Sequence, residues 1–181
     1  MKQRFKMMIF MTLASVILFS CKKEEKVEIK KNDDAANHIS FQGKKYELSW
    51  GLYNGSGNSF HIELLSPGLS LIKENNPNYG MKGFGHLISF HFTSDSEILE
   101  EGTYSHSEDS EGRFTFHSAG GALDWDAEAD KHKIHFAFDS GKVTIKKKDD
   151  GNYEIKFNGP DKGENKDIIK GGFTGKLRKK Y

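Results

Sequence analysis

Strict alternation of apolar and polar residues recurs along this chain and restricts its fold more than any other feature. In FHIEL (60–64), the three apolar residues share one face. The same period of two occurs in HLISFHF (86–92) and in KIHFAF (133–138). This period is that of a β-strand with one buried and one solvated face. Because no segment shows a comparable helical period, the pattern predicts an all-β protein.

Turn residues between alternating segments predict hairpins. In KVTIKKKDDGNYEIKFNG (142–159), the Asp-Gly pair supplies the positive φ that a tight hairpin turn needs. HISFQGKKYELSW (38–50) is predicted to be a second hairpin about Gly43. The pair Gly171-Gly172 predicts a bulge or bend in a final strand. Residues 122–131, ALDWDAEADK, predict a short helix or a loop.

The number and spacing of these segments predict the architecture. We expect about eight to ten short strands, which is typical of an antiparallel sandwich or of a calycin-like barrel. Residues 39–181 have the length of one domain and are enough to bury a core. The sequence therefore predicts one all-β domain over this range.

The N-terminus has the pattern of a secretory signal. Three basic residues within the first six positions precede an apolar run from Met7 to Phe19, which ends just before Cys21. The run is too short to cross a bilayer, which takes about 20 residues. Cys21 is the only cysteine, so no disulfide can form within the chain.

The residues Leu18-Phe19-Ser20-Cys21 resemble the lipobox of bacterial lipoproteins, in which the cysteine thiol receives diacylglycerol. Phe19 stands where a small residue is usual in that family. The resemblance implies a signal peptide at 1–20, a lipidated Cys21 and a flexible tether over 21–38. The alternative is an ordinary signal peptide followed by a chance cysteine.

Other segments resemble small outer-membrane lipoproteins of the Bacteroidetes. KKEEK (22–26) is similar to the charged signal that follows the cysteine in their surface-exposed members. GKVTI (141–145), YEI (153–155) and LEEGTYS (99–105) are similar to recurrent strands of that group. The resemblance implies an outer-membrane location, with display at the cell surface or on the inner leaflet, and it implies no activity.

Charge restricts the partners. Removal of residues 1–20 leaves 24 Lys and Arg against 26 Asp and Glu, a net charge of −2. No basic segment dominates, so nucleic acid is not an expected partner. The expected partners are the membrane, through the lipid, and a small molecule, a glycan or a protein.

Four histidines are predicted to lie on the strand faces opposite the phenylalanines: His61, His91, His117 and His135. Imidazoles on neighbouring strands lie about 5 Å apart, so these residues are the candidates for a metal or haem site. The alternative, which we favour, is that they belong to the solvent face. We therefore expect no metal and no cofactor.

Residues 66–85 are rich in Asn, Gly and Pro and are predicted to form a long loop. Long loops of this kind are often functional. Tyr79, Met81 and Phe84, together with Trp125, are the residues that we expect to face a ligand or partner.

Known catalytic motifs are missing from the sequence. It contains no G-x-S-x-G, P-loop or H-E-x-x-H pattern. The prediction is therefore not an enzyme but a lipid-anchored cell-envelope binding or interaction module of unknown ligand. The alternatives are a structural accessory subunit without a small-molecule ligand and a glycan hydrolase, whose paired carboxylates would leave no local motif.

The lipobox generates a first prediction. Cys21→Ser should abolish membrane association and leave the domain folded, because the lipid would lie outside the core. Alkaline carbonate extraction of membranes, with circular dichroism of the purified variant, measures both. A variant that still sediments with membranes would show that the lipoprotein interpretation is wrong.

Overall fold

The computed structural model describes residues 37–72, 80–96, 98–109 and 112–180. The secondary-structure elements in these ranges are all β-strands, which confirms the all-β prediction. None of the described residues forms a helix with the length and apolar character needed to cross a membrane. The described residues form thirteen strands, more than the sequence predicted: β1 (His38–Phe41), β2 (Lys44–Glu47), β3 (Trp50–Ser56), β4 (Ser59–Leu65), β5 (Leu69–Leu71), β6 (Met81–Thr93), β7 (Gly102–His106), β8 (Thr115–Asp126), β9 (Lys131–Ala137), β10 (Lys142–Lys147), β11 (Tyr153–Pro160), β12 (Ile168–Gly175) and β13 (Leu177–Lys179).

Eleven of these strands form a curled, mixed sheet in the order β13-β3-β4-β6-β8-β7-β10-β11-β12-β1-β2, and beside this order β5 pairs with β6 and β9 pairs with β8. β13–β3 and β7–β8 pair in parallel, so the sheet is not purely antiparallel as predicted. β2 and β3 lie near opposite ends of this order, yet only Leu48 and Ser49 separate them. Such a connection spans at most about 11 Å. The sheet therefore curls into a half-barrel.

Both predicted hairpins are present. β1 and β2 are joined by Gln42 and Gly43, whose φ angles of 48° and 74° suit a two-residue turn. β10 and β11 pair from Lys142 opposite Asn158 to Lys147 opposite Tyr153. The turns predicted from local sequence therefore set the register of both pairs.

Three local predictions were wrong, because pairing with neighbouring strands decides these segments. At Gly171-Gly172 the ladders to β1 and to β11 continue without a register shift, so there is no bulge. Ala122–Asp126 belongs to β8, and only 127–130 form a turn. Part of the loop predicted at 66–85 is a hairpin in which β5 pairs with the start of β6.

The interior of the half-barrel is filled with aromatic rings. The Phe90 ring contacts those of Phe92, Phe116, Phe138 and Phe157, with centroids 5.4 to 6.4 Å apart. All of these side chains are buried. The alternation that predicted the strands therefore produces one continuous core inside the sheet.

Loss of the central ring should destabilise the fold. Phe90→Ala is expected to lower the free energy of unfolding by about 3–5 kcal/mol, because Phe90 is fully buried among other rings. Phe84→Ala on the same strand is the control; Phe84 is 59% exposed, and we expect about 0.5 kcal/mol or less. Urea unfolding measures both, and equal losses would contradict this description of the core.

Candidate functional site: a lysine-lined groove

A groove of about 280 Å³ lies on the outer face of the sheet, across β10, β11, β12, β1 and β2. The alternation within each strand determines which side chains reach it. Val143 and Ile145 point into the core, so Lys142 and Thr144 point outward into the groove. The groove is therefore the solvent side of the same strands that bury the core.

Five outward residues form one straight row across the groove. Lys142 lies opposite Asn158, and Asn158 lies opposite Lys170. Lys170 lies opposite Ser40, and Ser40 lies opposite Lys45. Cationic and neutral polar side chains thus alternate strand by strand. We call these five residues the lysine row.

The strand spacing gives the dimensions of the lysine row. Neighbouring strands lie about 4.8 Å apart, so cations on every second strand recur at about 10 Å. The row runs from β10 to β2, a distance of about 19 Å at the same spacing. A ligand that contacts all three lysines must therefore be extended.

A second set of outward residues lies beside the lysine row. Thr144, Lys156, Gly172 and His38 are successive register partners on β10, β11, β12 and β1. Gly172 carries no side chain and lines the groove. Lys156 Nζ is 3.2 Å from a carboxylate oxygen of Glu154, so part of its charge is already compensated.

The groove is electropositive because its lining contains lysine and no aspartate or glutamate. Lys142 and Lys170 make no ion pair with any other described residue. Lys142 and Lys170 therefore present exposed cations on a chain whose predicted mature charge is negative. An anion is the ligand that this arrangement attracts.

Hydrogen bonds fix the strands that form the groove. The Asn37 side chain donates to the Thr174 carbonyl at 3.1 Å and accepts from the Thr174 N–H at 2.7 Å, which holds the start of β1 against β12. Gln42 Nε2 donates to Asp167 at 2.7 Å and ties the β1–β2 turn to the loop before β12. The backbone positions from which the side chains of the lysine row project are therefore held in place before any ligand binds.

Three of the four candidate histidines lie side by side on the outer face. The ring centroids of His61 and His91 are 4.2 Å apart, and those of His91 and His117 are 5.5 Å apart. His135 lies on β9 instead, 5.4 Å from His132. Within the described ranges, no group of three or more His, Cys, Asp or Glu side chains is placed to hold a metal ion.

Burial keeps part of this histidine cluster neutral. Burial lowers the pKa of His61 to about 4, with His91 and Lys180 acting in the same direction and Glu63 opposing them. Burial also lowers the pKa of His91. Nδ1 of His117 is buried without a hydrogen-bond partner among the described residues. The cluster is therefore a packed patch of imidazoles.

The residues predicted to face a ligand lie elsewhere in the fold. Met81 and Trp125 are half-buried and pack on a small apolar cluster under β5. The Trp125 indole donates to Asp130 at 3.3 Å. Phe84 is exposed on β6, and Tyr79 lies outside the described residues. Met81, Phe84 and Trp125 belong to strands rather than to a loop, and their role stays a prediction.

A wider cleft of about 590 Å³ contains the carboxylates that a hydrolase would need, Glu100 and Glu101. Glu100 accepts hydrogen bonds from Ser94 and Arg113, and the Ser94 bond is the main cause of its lowered pKa. Glu101 accepts from the backbone N–H of Lys147. The lowered pKa of Glu100 is opposite in direction to the raised pKa of a general acid in glycoside hydrolysis.

Sequence reasoning missed the lysine row. Its members are scattered from Ser40 to Lys170, and no basic run marks them. The hairpin of β10 and β11 gave a partial signal, because its predicted phase places Lys142 on the outer face. The pairing of β12 with β1 completes the row, and no local pattern encodes that pairing.

Comparisons with known proteins do not identify the chain. No protein-family model matches it, and no curated protein or solved structure is significantly similar to it. The functional argument therefore rests on the chemistry of the surface itself.

The low pKa of His61 predicts a pH dependence of stability. Unfolded histidine has a pKa of about 6.5, so the unfolded chain binds this proton first as pH falls. The stabilisation is complete above about pH 6.5 and is lost towards pH 4, by roughly 2 kcal/mol at pH 5. His61→Gln should remove this part of the dependence, and His132→Gln, on exposed β9, should not. Urea unfolding at several pH values in this range measures the free energy of unfolding of both variants. The same pH dependence in the two variants would contradict the assignment of this effect to His61.

Proposed function

We propose that this protein is a lipid-anchored binding module of the cell envelope that holds an anionic ligand in the groove. The observation that carries this proposal is the lysine row, three exposed lysines in register across five strands with no acidic residue in the lining. Lysine is a compact cation that attracts carboxylate, sulfate and phosphate groups.

The exposure of the row favours reversible binding. Each exposed ion pair contributes about 0.2–1 kcal/mol, so one contact gives little affinity. Several contacts made at once give useful affinity and a strong dependence on salt. This behaviour suits a module that captures and releases a polyvalent anion.

The position of Asn37 relates the groove to the proposed anchor. The first described residue is Asn37, and the next residue, His38, lines the groove. Fifteen residues, 22–36, lie between Cys21 and Asn37. A tether of that length reaches at most about 55 Å. A lipid on Cys21 would therefore keep the groove within about 55 Å of the membrane that carries it.

The proposal predicts a loss of binding when the row loses charge. Lys142→Gln with Lys170→Gln should weaken binding of fluorescent dextran sulfate by about tenfold, because two ion pairs are removed. The dependence of affinity on salt should also become shallower. Fluorescence anisotropy at several salt concentrations measures both effects.

A matched control separates the groove from overall charge. Lys131→Gln with Lys133→Gln removes the same charge from exposed positions on β9. We expect this pair to change affinity by less than about twofold, because salt screens distant charges. Equal losses in the two double variants would overturn the proposal.

A further inference from the structure

The length of the lysine row excludes a small anion as its full ligand. Lys142 and Lys45 lie on strands four spacings apart, about 19 Å. A single phosphate or a single acidic sugar is too small to contact the lysines at both ends of the row at once. A ligand that uses the whole row is a polymer that lies perpendicular to the strands.

The residues between the lysines indicate what separates the anionic groups of that polymer. Asn158 lies between Lys142 and Lys170, and Ser40 lies between Lys170 and Lys45. An amide and a hydroxyl both donate and accept hydrogen bonds. They match neutral units that carry hydroxyl groups. The row therefore alternates between sites for an anion and sites for a hydroxyl-bearing unit.

This alternation disfavours polymers that carry an anion on every unit. A nucleic acid strand carries one phosphate per about 3.4 Å, so most of its phosphates would face Asn158 and Ser40 rather than lysine. The lysines recur at about 10 Å instead. A polysaccharide in which acidic and neutral sugars alternate presents one carboxylate on every second ring. The distance between successive carboxylates of such a polymer is of the same order as the distance between successive lysines of the row.

Acidic residues beside the groove disfavour a flat anionic surface. Glu47 lies opposite His38, one step along the strands from the lysine row. Glu154 lies one outward position beyond Lys156 on β11. A plane of lipid phosphates would cover these carboxylates as well as the lysines. A linear ligand meets the lysines and leaves the carboxylates in water.

We infer that the groove binds a linear acidic polysaccharide with alternating acidic and neutral sugars, laid across the strands from β10 to β2. The inference rests on the proposed anion-binding function and names the class of ligand. Ser105 on β7 lies opposite Lys142 and extends the row by one neutral position. The bound polymer thus has room to continue beyond β10.

Titration with oligosaccharides of increasing length tests the inference. The full-length chain in neutral detergent is titrated with hyaluronan oligosaccharides, from the disaccharide upward, by isothermal calorimetry. Affinity should rise by about tenfold or more with length until the oligosaccharide spans the row, and should then level off. Polyphosphate of matched total charge should bind less tightly.

The variant Lys45→Gln removes the last cation of the row and should abolish the gain from the longer oligosaccharides. Lys44→Gln is the matched control; Lys44 is also exposed but pairs with Phe41 outside the row. Lys44→Gln should keep the length dependence. Loss of the length dependence in both variants, or in neither, would overturn the inference.

The failure of the inference differs from the failure of the proposed function. Polyphosphate, or vesicles rich in anionic lipid, could bind more tightly than hyaluronan while dextran sulfate binding still depends on Lys142 and Lys170. That result would exclude the polysaccharide as the ligand and keep the groove as an anion-binding site. Dextran sulfate binding that is unaffected by these lysines would exclude both. Affinity for hyaluronan that does not change with length would exclude the extended mode of binding.

Discussion

The packed phenylalanine interior is the constraint on which the other surfaces of this protein depend. In a strand, each inward residue fixes its neighbours as outward, and a slip of one residue would exchange the two faces. Val143 and Phe157 are buried, so Lys142 and Asn158 are exposed and opposite each other. The core therefore sets the composition of the groove without contacting a ligand.

The sequence predicted the fold class and the phase of the main strands, because alternation and turn residues are local signals. It did not predict the lysine row, because that site depends on long-range pairing. Ser40 and Lys170 lie 130 positions apart and become neighbours only when β1 joins β12. A net charge close to zero also concealed the cations, since their acidic counterparts lie elsewhere on the surface.

The histidines show the same division between local and long-range information. Their outward phase followed from alternation, and His61, His91 and His117 do lie together on β4, β6 and β8. His135 was grouped with them on phase alone. β9 pairs with the far half of β8, from Gly120 onward, and this places His135 beyond the cluster. The face of the sheet on which a side chain lies can be predicted from sequence, whereas the side chains that lie next to it depend on the strand order.

The Asn37–Thr174 contact has a mechanical consequence. Any pull along the chain that precedes the domain acts first on these two hydrogen bonds and then on β1, a strand of four residues held between β12 and β2. Short edge elements open at lower free energy than the core, and here the edge strand is β2, whereas β1 buries Ile39 and Phe41 in the core. Peeling of β1 would remove Ser40 from the groove, release β2 with Lys45, and take Ile39 and Phe41 out of the core. Tension on an anchored chain would thus loosen one end of the groove together with the part of the core that β1 supplies, so that the strength of ligand binding would depend on force.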